Sequence, residues 1–459
     1  MSLRCLIASC ACKASYHLLR LLGRGATSLP GKLALAIDPG FLATLAHGVR
    51  TIVFTGTNGK TTSTHIAAQA LANTGTPAFY NRSGANLVQG ITTEFAIRSS
   101  ITGKARCAYA AIECDEGALG RVCAALDPDI LVVTNVFRDQ LDRYGEVMHT
   151  RDNIAAGVAH SPHATLVLNA DDSIVASLAD EAPSTARIVW YGVNCELYPE
   201  RVADLSDASR CIRCGAEYEY ARTVYAHLGA WSCPGCGFAR PEPSVAVERV
   251  VSRGSGACTV EMSVDGETSQ VPLDVACGYD VYNCCCVVAG LLSFGFSRED
   301  AFAAVGKFKH GFGRGEVLEV GRSTTRLMLM KNPAGCNQIL NLLLNEPEDA
   351  AFPALVVLLN DQDCDGTDVS WIYDAAFEAL APRVDAMLCG GTRAEDMAVR
   401  LKYAGIAAPG ISIEKDNAAL LERVAVLARP TVVVANYSAM LAFRGVAQRK
   451  LGLAGFWEG

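Results

Sequence analysis

The chain has 459 residues, half of them apolar and 19% charged, a composition that supports roughly two to four domains with sizeable cores and excludes a disordered polymer. A formal net charge of −8 argues against non-specific nucleic-acid binding, which rests on neutralising phosphates, and no apolar run reaches the ~18 residues of a membrane span. Nineteen cysteines cannot all pair, and the run Cys284-Cys285-Cys286 suits no disulfide framework. Most read as small buried hydrophobes in a reducing compartment, the cytoplasm.

Residues 1–44 read as an N-terminal helical segment. Its start is mildly apolar, with Arg4 and Lys13, and its apolar stretch is too short and too broken by Ser for a cleaved secretion signal. An apolar run, Thr51 to Phe54, then leads into Thr55-Gly56-Thr57-Asn58-Gly59-Lys60-Thr61-Thr62 and a helical pattern. This is a phosphate-binding loop in the expected strand–turn–helix setting. The glycines let backbone N–H groups converge on a phosphate, Lys60 can reach the β- and γ-phosphates, and the Thr61 hydroxyl can hold magnesium. The long GxxxxGK[ST] form is absent, because its first glycine would fall at Phe54. The loop is a short GxxGKT form. The competing reading is a plain turn with an accidental Lys-Thr.

Strand-like runs at 51–55, 108–114, 130–136 and 164–169, with helical patterns between most of them, predict a doubly wound α/β sheet with the nucleotide at the strand ends. Polar residues recur on that rim: Glu113-Cys114-Asp115-Glu116, then Asn135, Asp139 and Asp142, then Asn169 with Asp171-Asp172. Carboxylates there are placed to hold magnesium directly or through water. Each taken singly has a blander role as a helix cap or turn residue, Asp171-Asp172 above all.

Cys211-x2-Cys214 and Cys233-x2-Cys236, each pair followed by Gly, have the spacing of a zinc ribbon. Four thiolates leave no open coordination position, so the predicted zinc is structural. His227 lies between the knuckles and is not needed as a ligand. The ribbon, about 205–243, interrupts a nucleotide domain spanning 45–318. A second, smaller α/β domain is predicted over 319–459. Its strand candidates are 355–359, 386–389, 411–413 and 431–435, and its helix candidates include 371–380 and 417–427. Cys336 and Cys389, though flanked by Gly, read as strand-end core thiols. None of the eight histidines stands in a motif that would activate a nucleophilic cysteine.

The strings Gly-Thr-Asn-Gly-Lys-Thr-Thr, Thr134-Asn-Val-Phe-Arg-Asp-Gln-Leu-Asp-Arg-Tyr-Gly-Glu146, Leu168-Asn-Ala-Asp-Asp172, Tyr282-Asn283 and Gly313-Arg314 resemble the Mur ligase superfamily, which couples ATP hydrolysis to amide formation. The inserted ribbon, Lys331-Asn332-Pro333-Ala334-Gly335 and Asp365-Gly-Thr-Asp368-Val-Ser-Trp371 are similar to its MurT-type branch. The resemblance implies a Mur ligase-like central P-loop ATPase domain with the zinc ribbon inserted, followed by a Rossmann-like C-terminal domain. It implies ATP-dependent amidation of the α-carboxylate of D-isoglutamate in lipid II, through an acyl phosphate, during peptidoglycan synthesis. Ammonia would come from a GatD-like glutaminase partner, with the chain in the cytoplasm, peripheral at the inner face of the membrane. Gly56, Thr57, Asn58, Gly59 and Lys60 would cradle phosphates, with Thr62 beside them. Thr61 and Glu113 would serve magnesium, Asn283 would contact adenine, and Arg314 would reach the ATP phosphates. One C-terminal aspartate would complete the partner's Cys–His pair: Asp368, with Asp365 second and a helix N-cap the alternative for either.

Two departures from the wider superfamily stand out. Gln140 replaces the usual magnesium-binding His, and there is no lysine between Lys104 and Lys307 to carry a carbamoyl group. The UDP-binding domain that precedes the ATP domain in other Mur ligases is not seen, which suits a lipid-linked substrate. Two other readings remain: an amino-acid-adding Mur-type ligase and a non-catalytic nucleotide-binding scaffold.

Overall fold

The computed structural model describes residues 2–81, 84–139, 147–203, 206–254, 257–274, 278–307, 314–346, 352–384, 386–427 and 429–453. Three helices open the chain: α1 (Leu3–Leu21), α2 (Leu29–Ile37) and α3 (Phe41–Ala46). The first sheet contains β1 (Arg50–Thr55), β2 (Ala78–Tyr80), β3 (Tyr109–Glu113), β4 (Ile130–Val133), β5 (Thr165–Asn169), β6 (Arg187–Val193), β9 (Val245–Gly254), β10 (Ala257–Val264) and β11 (Glu267–Leu273). Between β6 and β9 the chain makes a separate hairpin, β7 (Glu219–Tyr225) and β8 (Leu228–Ser232).

Among the described residues the sheet order is β11-β10-β9-β6-β5-β4-β1-β3-β2. Strands β1 to β6 run parallel, and β9–β11 extend the edge as an antiparallel meander. That meander was not among the predicted strands. Its alternating, half-exposed residues carry a weaker signal than the doubly buried apolar runs of parallel strands.

Side-chain alternation divides the core into two faces. Ile52, Phe54 and Val132 pack under α4 (Lys60–Asn73), α9 (Gly278–Phe294) and α10 (Arg298–Gly306). Val53, Ile112 and Leu131 pack under α1–α3, α5 (Val88–Ile97), α6 (Leu119–Leu126) and α7 (Val147–Ala159). Helix α9 is buried almost all round, so Cys284, Cys285 and Cys286 are all core residues, and burial pushes each thiol up, Cys286 to about 12. All the cysteines among the described residues are free of disulfides.

The second sheet, β12 (Arg314–Val320), β13 (Ser323–Leu329), β14 (Ala354–Leu358), β15 (Met387–Gly390), β16 (Ile411–Ile413) and β17 (Thr431–Ala435), runs β12-β13-β17-β14-β15-β16. It is parallel except for β12. Its helices include α11 (Pro333–Leu344), α12 (Ala394–Tyr403), α13 (Asn417–Ala425) and α14 (Tyr437–Leu451). The predicted helix over 371–380 is replaced by two short 3-10 turns, Ser370–Asp374 and Phe377–Leu380. Buried Arg400 explains the break: its guanidinium donates to the carbonyls of Ile372 and Ala375, taking acceptors that a continuous helix needs. Cys336 lies in the first turn of α11, not at a strand end, and its buried thiol, like that of Cys389, is pushed up to about 12.

Candidate active site

The loop after β1 depends on its two glycines. Gly56 and Gly59 have φ of 115° and 89°, a region L side chains rarely enter. A Cβ on Gly56 would stand 2.4 Å from the Thr134 hydroxyl, and one on Gly59 would stand 2.0 Å from Asn283 Oδ1. Thr57 and Asn58 brace the loop: their N–H groups donate to the carbonyl and side-chain oxygens of Asn135, and the Thr57 hydroxyl exchanges bonds with the backbone of Phe137. The amides that open α4, at Gly59 through Thr61, stand at the positive end of its dipole, where an anion would be favoured.

Lys60 is buried and held by three acceptors: Glu116 at 2.7 Å and the carbonyls of Gly56 and Thr57 at 2.5 and 3.3 Å. Burial works against its charge. Glu116, helped by Glu113 and Asp139, outweighs that penalty and holds the amine above its ordinary value. Glu116 belonged to the rim reading but had no assigned role. A lysine this enclosed needs a buried anion, and that requirement is the signal that identifies Glu116.

Glu113 closes β3. Asn81 fixes its backbone with two bonds, at 2.7 and 2.8 Å, and Asn86 donates to its carboxylate at 3.4 Å. Thr61, Glu113 and Asp115 all line one cavity of about 360 Å³, which Asn283 of α9 also borders. The hard oxygen donors Thr61 and Glu113, beside a phosphate cradle, are a chemically suitable set for magnesium.

The rest of the rim behaves differently. Asp171 is fully buried and bonded to Arg240 (2.6 Å), the Tyr282 hydroxyl (2.6 Å) and Val193 N–H (2.8 Å). Burial raises its pKa against the opposing pull of Arg240. Asp172 caps α8 (Ser173–Ala176) through the N–H groups of Ile174 and Val175 and also accepts from Val136. Neither faces the cavity, so the metal-holding reading fails for this pair and the blander one stands. Asn169 ties β5 to the Thr134 carbonyl. Gln140 and Asp142 lie outside the described residues.

The second domain forms the opposite wall. Lys331 pairs with Asp139, and Asn332 bonds Asn58 at 3.1 Å while capping α11. Arg138 bridges Asp207 and, at 3.3 Å, Asp374 of the second domain. Asp365, Asn436 and Tyr437 complete the wall. Asp365 is buried and fully engaged, accepting from the Ser438 N–H at 2.9 Å and from its hydroxyl. Asp368 is exposed and accepts a short-range bond from Ser370 N–H at 2.8 Å. Arg314 begins β12; its side chain, like Gly313, lies outside the described residues.

Away from this cleft, the sulfurs of Cys211, Cys214, Cys233 and Cys236 lie within 4.8 Å of one another. Two of the separations are 3.4 and 3.6 Å, close to the ~3.8 Å edge expected for tetrahedral zinc–thiolate bonds. Both knuckles turn on a glycine of positive φ, Gly215 and Gly237. Without an ion the sulfurs share their protons unequally: burial raises Cys211, but N–H groups of Cys214 and Arg213 outweigh it and bring it to about 6, while neighbouring thiols push Cys214 up to about 12 and Cys236 up as well. The set suits a structural zinc. His227 is buried elsewhere, against Phe137 and 3.3 Å from Asp172, and is not a ligand. Trp231 anchors the hairpin by donating to the Ala170 carbonyl at 3.1 Å.

The Mur ligase middle-domain model matches residues 54–214, and the MurT ligase C-terminal model matches residues 329–440. The lipid II isoglutaminyl synthase (glutamine-hydrolyzing) subunit MurT of Streptococcus pneumoniae (strain ATCC BAA-255 / R6) is 33% identical over 97% of both chains. MurF from Acinetobacter baumannii shares the fold, with a TM-score of 0.66 at 15% identity over 92% of this chain and 80% of that one. So does Mycobacterium tuberculosis folylpolyglutamate synthase complexed with ADP and AMPPCP, with a TM-score of 0.63 at 14% identity over 96% and 99%.

Proposed function

From the premise that this chain belongs to the MurT family of Mur ligases, we propose that it is the synthetase subunit that amidates the α-carboxylate of D-isoglutamate in lipid II. It is an ATP-dependent ligase of peptidoglycan synthesis. The observation that carries the reading is the convergence of Lys60, Thr61 and Glu113 on one cavity bordered from the other side by Leu329, Met330, Lys331 and Gly335 of the second domain.

A carboxylate is a poor electrophile, so the reaction begins by improving its leaving group. One carboxylate oxygen of the substrate attacks the γ-phosphorus of ATP, its bond to the β–γ bridging oxygen breaks, and ADP leaves. Ammonia then attacks the acyl carbon, the C–O bond to phosphate breaks, inorganic phosphate departs and nitrogen loses a proton. Phosphoryl transfer of this kind depends on positioning and charge neutralisation. The amides at the start of α4 hold the phosphates, and Lys60 exchanges its Glu116 contact for the transferring group. Asn283 borders the base-binding end. Thr61 and Glu113 would hold magnesium, which neutralises charge on the phosphate oxygens. Lys331 and Asn332 set the second domain against the loop, so that the acyl phosphate forms out of water.

Ammonia is supplied by a GatD-like glutaminase. In this reading Asp368 meets that partner, a choice supported by its exposure and by the engagement of the second candidate, Asp365, with Ser438. The four cysteines hold zinc and fix the ribbon. No helix among the described residues is long and apolar enough to cross a membrane. In this reading the chain meets its lipid-linked substrate from the cytoplasmic side as a peripheral protein.

The test is the purified chain with ATP, lipid II and ammonium, followed by mass analysis of the stem peptide. Conversion of one acid to an amide is expected. A mass gain equal to an added amino acid would make it an amino-acid-adding ligase, and ATP binding without product would make it a scaffold.

A further inference from the structure

Helix α1 is built inside out. A helix on a soluble surface turns its large apolar residues toward the core and its polar residues outward. Here the inward face is small, with Cys5, Ala8, Ser9 and Cys12 buried against the neighbouring helices. The outward stripe carries Leu3, Ile7, Leu18 and Leu21, exposed to 73%, 48%, 59% and 85%, and Leu22 follows at the helix end. Their spacing returns them to one side of the helix, with Cys10 and Ala14 between. Leu29 and Leu33 of α2, which packs against α1, are exposed as well.

The charge around this stripe has one sign. Arg4, Arg20, Arg24 and Lys32 are exposed, Lys13 reaches back to the Ser99 carbonyl, and the first acidic residue of the chain is Asp38. The whole chain nevertheless carries −8. An apolar stripe bordered by cations on an otherwise acidic protein fits a surface that is apolar beneath and anionic on top. A second copy of the chain fits poorly, since a two-fold contact through this face would oppose the same cations.

We propose that the outward face of α1, continued by the α1–α2 turn, is the surface by which this protein lies on an anionic phospholipid bilayer. The leucines enter the acyl boundary and the arginines meet the headgroup phosphates. This inference rests on the peripheral placement proposed above and names the surface that achieves it.

The experiment is flotation of the full chain with vesicles containing about one-third phosphatidylglycerol in phosphatidylcholine, against vesicles of phosphatidylcholine alone. Wild type is expected to float with the anionic vesicles and to be released by salt. L18S/L21S and, independently, R20E/R24E are each expected to lower the bound fraction about tenfold. Both should keep ammonium-driven amidation of detergent-solubilised lipid II, because neither change touches the cleft. Absence of wild-type binding, or undiminished binding by both variants, would overturn the proposal. So would a dimer that L18S/L21S converts to monomer in light scattering, or unchanged flotation together with lost binding of the glutaminase subunit. Failure of wild type to amidate lipid II would instead sink the functional reading and leave this surface standing.

Discussion

Glu113 and Asp171 sit at the same edge of the same sheet, one closing a parallel strand and the other just past the end of one, and both belong to the carboxylate rim that the sequence placed there, Asp171 with the stronger claim to a plain turn role. The structure separates them by what covers each. Glu113 stands beside the phosphate loop and faces a cavity. Asp171, two strands beyond β1, lies under the ribbon hairpin, where Arg240, Tyr282 and Val193 consume its oxygens. A carboxylate is available for chemistry only if its lone pairs are not already committed. The second domain repeats the contrast, with Asp365 locked onto Ser438 and Asp368 outward in the same seven-residue segment.

Five substitutions sharpen or break that contrast. Lys60→Met should have the largest effect, lowering amidation about 10³-fold or more with either glutamine or ammonium, since it removes the cation at the transferring phosphate. Turnover within tenfold of wild type in a rate assay would remove Lys60 from the mechanism. Asp171→Asn should cost about 3 kcal/mol in denaturant unfolding, because Arg240 is left buried without its counter-charge. Its specific activity per folded molecule should hold, and a selective loss of turnover would reopen Asp171 as a metal ligand.

Glu113→Gln should act in the opposite way, lowering the rate about 10²-fold and raising the magnesium requirement with little change in the unfolding midpoint. Asp368→Asn should cost about tenfold in glutamine-driven turnover and spare ammonium-driven turnover. Equal loss of both would move Asp368 into the synthetase cleft. Cys233→Ser should have the smallest effect on chemistry. It should abolish bound zinc by metal analysis and lower the thermal midpoint by several degrees, as loss of a cross-link confined to one hairpin predicts.

Strong local signals were legible in the chain. The phosphate loop was readable because its geometry demands glycine at two positions of positive φ and a Lys-Thr at the helix start. Parallel strands β1, β3, β4, β5, β14, β15 and β17 were readable because their burial makes them near-continuous apolar runs, whereas β2, β6 and β13, with partly exposed residues, were not among the predicted strands. The break at 371–380 was not, because it depends on Arg400, which reaches over from a different helix. Glu116 as the partner of Lys60, and Lys331 and Asn332 as the second wall, were also hidden, since each takes its meaning from a residue far away in the chain.

The sequence by itself determined the loop, the four-cysteine spacing and the alternation of strand and helix, all of which are set by residues close together along the backbone. Only the tertiary structure decided which carboxylates remain open, which aspartate faces outward, and that the first helix turns its leucines to solvent. Those outcomes depend on which long-range neighbours occupy each side chain's lone pairs or cover its surface, and no local pattern records that.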